Sequence, residues 1–213
     1  ELAERLSSLI WGLSPDSELL DAAQSGSLDS DEGLTARIDA MLADPRAQQG
    51  RRDFHKRVFS IGTLDGIEKN SALFPTFSAD VASSMREELY RLTDSAWESG
   101  DISKLYSTTE SFVDARLASL YGMSDVTGDF TRVTLNSSQR KGILTTPGMM
   151  AILAKSNESA PVRRGGFIRE QIFCQHLETP QGLAVTAPVP DPTLTARERY
   201  AAHRSNAACA GCH

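Results

Sequence analysis

At 213 residues the chain has the length of one large domain or two small ones. Its composition, 40% hydrophobic and 23% charged, is that of an ordinary globular chain and excludes collagen-like, low-complexity and disulfide-framework classes. Asp and Glu (28) outnumber Lys and Arg (22), a formal net charge of −6 that argues against a nucleic-acid or anionic-membrane binder, and no run approaches the roughly 18 consecutive apolar residues of a membrane span.

Leu2, Leu6, Leu9, Ile10 and Leu13 share one face at helical spacing, which predicts a buried helix over residues 2–13. Ser14-Pro15-Asp16 restarts the chain. Proline in the first helical position, with acidic residues in the first turn, predicts a short helix through residues 19–23 that stops at Gly26. Ser30 is the N-cap of a third, amphipathic helix on Leu34, Ile38, Met41 and Leu42. Asp44-Pro45 ends it and begins a fourth, carrying Phe54, Val58 and Phe59. Gly62, Gly66 and Pro75 make residues 62–77 a loop. Ser78 caps the clearest helix, with Val81, Met85, Leu89, Leu92 and Ala96 on one stripe.

Residues 111–121 predict another helix, stopped by Gly122. Residues 130–135 alternate and are β-branched, which makes them the one good strand. Pro147 starts a short helix through Leu153, and Pro161 a longer one through Ile168, Ile172 and Phe173. Pro180, Pro188, Pro190 and Pro192 predict an extended linker. Thr195-Ala196-Arg197-Glu198 is a capping box opening a last helix that runs into Cys209. The expected fold is mainly α: a helical bundle with one small β element and a proline-rich arm leading to a terminal C-x-x-C-H segment.

The chain opens at Glu1 already in helical phase and stops at His213, its most chemically loaded residue, so we expect a fragment of a longer protein. The three cysteines, Cys174, Cys209 and Cys212, are too few for a disulfide scaffold. Cys209-Ala210-Gly211-Cys212-His213 is the c-type haem attachment pattern. Two thiols add to the two vinyl groups of haem, and two intervening residues let both reach. The small Ala-Gly pair keeps side chains off the porphyrin edge. The adjacent His213 then presents a ring nitrogen to the iron as proximal ligand. Two other readings stay open: a Cys209–Cys212 redox pair, although no βαβ pattern surrounds it, and a zinc site of Cys174, His176, Cys209 and Cys212.

Met149 and Met150 are candidates for a second axial ligand, against the simpler reading of helix core. His176 is a candidate distal ligand or a helix-end residue, and His203 reads as a surface histidine. His55, between Arg51-Arg52 and Lys56-Arg57, reads as part of a solvated face. Arg163 and Arg164 open the Pro161 helix, where cations oppose the macrodipole; a haem propionate or an acidic side chain would offset them, and Arg140 poses the same choice. Cys174, beside Ile172 and Phe173, reads as an inert buried thiol. No Ser-His-Asp order, phosphate-binding glycine loop or H-E-x-x-H is present, so no catalytic residue is assigned.

Several segments in order resemble the secreted planctomycete-type cytochrome c family. They are residues 9–16 (Leu-Ile-Trp-Gly-Leu-Ser-Pro-Asp), 41–46 (Met-Leu-Ala-Asp-Pro-Arg), 73–77 (Leu-Phe-Pro-Thr-Phe), 112–122, 140–145, 159–165 and the terminal C-x-x-C-H. Two features depart from the family: Ala160 replaces a capping hydroxyl before Pro161, and the polyproline run is diluted. The resemblance covers essentially the whole chain. It implies a helical domain of unknown function over 1–125 and a cytochrome-like domain over 126–213, truncated at its C-terminal end, so that the haem pocket stays incomplete. It also implies export to a bacterial periplasm, cell surface or extracellular space. The cofactor would be covalent haem c on Cys209 and Cys212 with His213 on the iron. The role would be electron transfer to a redox partner or to other domains of the same polypeptide. A carrier is expected rather than a substrate-specific enzyme, with an oxidoreductase role open to the full-length protein. The alternative is a non-catalytic secreted helical interaction or scaffold module whose terminal cysteines bind zinc or form a disulfide. No nucleic-acid partner and no transmembrane segment in this fragment are expected.

Overall fold

Polar side chains set the helix starts. Asp16, Ser30, Asp44, Ser78 and Asp114 each accept a backbone N–H from the first turn they precede, at 2.7–3.2 Å. Each such cap is worth about 1 kcal/mol and fixes where the chain turns. The computed structural model describes residues 1–176, 178, 189, 191 and 193–205, with backbone only at 202–204. Among these the fold is mainly α. The helices are α1 (Leu2–Ile10), α2 (Ser17–Gln24), α3 (Asp31–Ala43), α4 (Pro45–Val58), α5 (Ala79–Glu98), α6 (Lys104–Ser107), α7 (Ala115–Tyr121), α8 (Pro147–Ile152), α9 (Pro161–Phe167) and α10 (Ala196–Ser205). Strands β1 (Glu110–Val113) and β2 (Thr131–Thr134) pair antiparallel, Glu110 opposite Thr134 and Val113 opposite Thr131.

The chain divides into two compact units, Glu1–Ile152 and Leu153–His213. The β1–β2 pairing and the full burial of Ile143 and Met149 hold residues 131–152 in the first. That unit has two cores. In one, Trp11 joins Ala3, Leu6, Leu19, Leu28, Met41 and Ala47. The Trp11 indole N–H donates to the Met41 carbonyl at 3.0 Å. The Arg46 guanidinium lies 3.6 Å over the Trp11 ring and bridges Asp16 at 2.9 Å and Asp44 at 2.7 Å. The other core surrounds α5, whose predicted stripe of Val81, Met85, Leu89, Leu92 and Ala96 is buried throughout. Helix α5 packs on α4, α6, α7, α8 and β1.

Several elements differ from the expected ones. Helix α1 stops at Ile10, because Trp11 is the residue drawn inward and Gly12 turns away at φ 70°. Its buried residues are Ala3, Leu6 and Ser7, so Leu9 is 83% exposed and Leu13 is exposed as well. The cap of α2 is Asp16, so Pro15 precedes the helix rather than starting it. Residues 111–121 are not one helix: Ser111–Val113 belong to β1, and Asp114 starts α7. The alternation Ser-Phe-Val takes the strand partner that β2 needs, since a lone strand leaves its ladder groups unpaired. Helix α4 is rotated from its expected phase, with Phe54 exposed and His55 only 3% exposed.

In the second unit, α9 starts without a side-chain cap, as Ala160 dictates, and passes into a π turn at Ile168–Ile172. The capping box forms as expected: the Glu198 N–H donates to Thr195 Oγ1 at 3.2 Å, and the Thr195 N–H donates to Glu198 Oε2 at 2.7 Å. Arg199 and Lys155 both bind Glu158, at 2.8 and 2.6 Å. The four linker prolines and the run of α10 into Cys209 lie outside the described residues.

Gly50 is where α4 meets the end of α1: a Cβ there would come 2.3 Å from the Ile10 carbonyl oxygen. Gly50→Ala is expected to lower the urea unfolding free energy by about 1–3 kcal/mol, despite the better helix propensity of alanine. Gly165→Ala in α9 meets nothing within 4 Å and should be neutral or mildly stabilising in the same measurement.

Candidate functional site

Cys209, Cys212 and His213 lie outside the described residues. The other residues singled out by sequence are placed as follows. Met149 is fully buried on α8 and is helix core, while Met150 is half-buried. His176 is exposed, and His203 falls within α10. Arg163 donates to the Ala154 carbonyl at 3.2 Å and Arg140 to the Thr145 carbonyl at 2.6 Å; neither forms an ion pair among the described residues. Among those residues no group of three His, Cys, Asp or Glu is arranged to hold a metal.

Two placements correct the sequence reading. Cys174 is exposed, not buried, and has φ 51°. The π turn closes with the Phe173 N–H on the Ile168 carbonyl at 3.0 Å and the Gln175 N–H on the Arg169 carbonyl at 2.8 Å. The second of these, a seven-to-one bond, spans Cys174 in the left-handed position glycine usually fills at a helix end. His55 is buried, not solvated. Its Nδ1 lies 2.9 Å from the Arg51 carbonyl, its ring is edge-on to Phe54 and stacked with Phe59, and burial pushes its pKa below the ordinary 6.5.

Sequence reading missed a buried polar cluster on α5. Ser84 donates to Asp114 Oδ2 at 2.6 Å, and one turn on, Ser111 donates to Glu88 Oε1 at 2.5 Å. The Tyr121 hydroxyl donates to the same Oε1 at 2.6 Å, and Arg140 lies 5.1 Å over the Tyr121 ring. Glu88 is 0% exposed, and its Oε2 is buried without a partner. Burial pushes its pKa up to about 7, against the pull of both hydroxyls and of Arg140. Burial also drives the Tyr121 hydroxyl far above its ordinary range, so it remains a donor. Asp114 behaves oppposite to Glu88: burial raises it, but Ser84, the Leu117 N–H and Arg116 together hold it below the usual carboxylate value. The signal for Glu88 was available, since it falls three residues after Met85 and four before Leu92, inside the apolar stripe. The cluster can hold or release one proton near neutrality, and it locks α5 to β1 and α7.

Residues 1–123 match the family model PSD4, Protein of unknown function (DUF1592), and residues 140–213 match PSCyt3, Protein of unknown function (DUF1588). Both names denote planctomycete cytochrome c-associated domains of unknown function. No curated protein and no solved structure matches the chain.

Glu88 titrates near 4.5 once unfolded and near 7 when folded, so the folded chain binds its proton more tightly across that window. Its contribution to stability is full below about 4.5 and is lost as pH rises through about 7. Glu88→Gln cannot titrate. The unfolding free energy of the native chain minus that of the variant should therefore fall by a few kcal/mol between pH 4.5 and 7. A difference that stays flat in denaturant titrations across this range contradicts the assignment.

Proposed function

The chain belongs to the PSD4 family of proteins of unknown function (DUF1592), and from that premise we propose that its C-terminal part is a c-type haem-binding electron-transfer module of a larger exported bacterial protein. One coincidence carries the reading: residues 140–213, which match PSCyt3, end in Cys209-Ala210-Gly211-Cys212-His213. The donor chemistry fits the group, with two thiols separated by two small residues and an imidazole directly after them. Cys209 and Cys212 would carry the thioether bonds, and His213 would be the proximal ligand. Haem, when bound, supplies one-electron redox chemistry, while these residues fix its orientation and tune its iron. The accompanying domain assignment is a helical domain over 1–125 and a cytochrome-like domain over 126–213.

The proposed role is that of a carrier, in the periplasm or at the cell surface, exchanging electrons with a redox protein or another domain of the same polypeptide. Among the described residues no helix is long and apolar enough to cross a membrane.

The test is a pyridine haemochrome spectrum of protein made in a host with a c-type haem maturation system. A c-type α-band that disappears when Cys209→Ala and Cys212→Ala are combined supports the reading. Absence of the band in correctly exported protein overturns it. Thiol titration gives a second readout, since Cys174 is exposed and a haem-loaded chain should show one reactive thiol instead of three. Recovery of all three on mild reduction points instead to a Cys209–Cys212 disulfide, and stoichiometric zinc points to a metal-stabilised scaffold.

A further inference from the structure

Helices α1, α3 and α4 and the last turn of α5 border an open groove of about 1020 Å³ within the first unit. Leu9, Leu42, Phe54 and Trp97 stand along it, and all four are exposed. Large apolar side chains gathered on one surface cost free energy in water and mark an interaction site more often than single exposed ones do.

The charges around the groove are one-sided. Arg5, Arg51 and Arg57 line it, against the single carboxylate of Glu4, on a chain whose net charge is −6. Arg5 is paired with Glu1 at 2.7 Å, whereas Arg51 and Arg57 form no ion pair among the described residues. The Arg51 guanidinium lies 5.2 Å over the Trp97 ring, and its buried Nε has no acceptor. A guanidinium beside an aromatic ring at the groove's edge can meet a carboxylate through its terminal nitrogens, its Nε being buried against the protein.

We infer that this groove docks an amphipathic helix of a partner protein, apolar along one stripe and flanked by Asp or Glu. Shape favours a helix over a small ligand. A small-molecule pocket encloses most of its ligand, whereas here Leu9 is 83% exposed and Phe54 56% exposed, so the walls project rather than enclose. A helix laid lengthwise covers such walls with residues one turn apart. The aromatic and arginine side chains present are the types that dominate interface energies. The inference uses only the first unit and stands independently of haem.

Fluorescence anisotropy of two labelled synthetic peptides tests it. Both are amphipathic helices with the same leucine and phenylalanine stripe, one flanked by glutamate and the other by lysine. The glutamate peptide should bind the chain about tenfold or more tightly than the lysine peptide. Combined Arg51→Glu and Arg57→Glu should reverse that order. Leu9→Ser should weaken binding of the glutamate peptide about tenfold while leaving thermal unfolding unchanged, because the side chain contributes little to the core. Equal affinity for the two peptides, or no binding of either, overturns the inference. Binding of dodecanoate at the groove without peptide binding assigns it to a small amphiphile. A concentration-dependent dimer dissolved by Leu9→Ser, again without peptide binding, assigns it to a second copy. Both of those outcomes overturn it.

Discussion

A carboxyl group removed from water must be satisfied by its neighbours or hold its proton more tightly, and Glu88 is partly satisfied and has its pKa raised to about 7. Two hydroxyls, from Ser111 on β1 and Tyr121 at the end of α7, converge on one carboxyl oxygen, while the other has no partner. That geometry fixes α5 in both rotation and register. A turn earlier the same helix repeats the contact with roles exchanged, Ser84 donating to Asp114. The two rungs lock β1 and α7 onto one side of α5. Asp114 also caps α7, so one residue holds both the start of a helix and its placement. Removal of either partner would leave a buried polar group unpaired, a cost larger than the net value of the bond itself.

Arg46 plays the corresponding part in the other core. It reaches the caps of α2 and α4 and covers the ring of Trp11. The indole N–H ties that ring to the last turn of α3. The arginine thereby joins the ends of α1 and α3 to the starts of α2 and α4. Its charge offsets two carboxylates that the caps require for their own reasons.

Local rules were readable where one residue decides the outcome. The caps at Ser30, Asp44 and Ser78, the glycine stop at Gly122, the strand near residue 131 and the capping box at Thr195 all form as their side-chain chemistry dictates. Readings failed where a distant partner decides. Residues 111–113 have no local feature that outweighs helix until β2 supplies a ladder. The phase of α4 is set by the approach of α1 at Gly50, which turns His55 inward and Phe54 outward. At Cys174 the expectation of burial failed because no residue of α9 or the π turn is buried, and Phe173 beside it is exposed as well. The Cys209-Ala210-Gly211-Cys212-His213 pattern is legible for a different reason: it is written in five contiguous residues and asks nothing of the fold.

Two buried titratable groups of the first unit, His55 and Glu88, respond to acid in opposite directions. Burial lowers the pKa of His55 below 6.5, so as pH falls through that value the unfolded chain takes a proton the folded chain refuses, and stability drops. Burial raises Glu88 to about 7, so the folded chain takes its proton first, and stability rises over an overlapping range. Burial disfavours the charged form of each, the imidazolium of His55 and the carboxylate of Glu88. They lie on α4 and α5, two helices packed against each other. On acidification, proton uptake at Glu88 therefore works against the destabilisation that His55 brings.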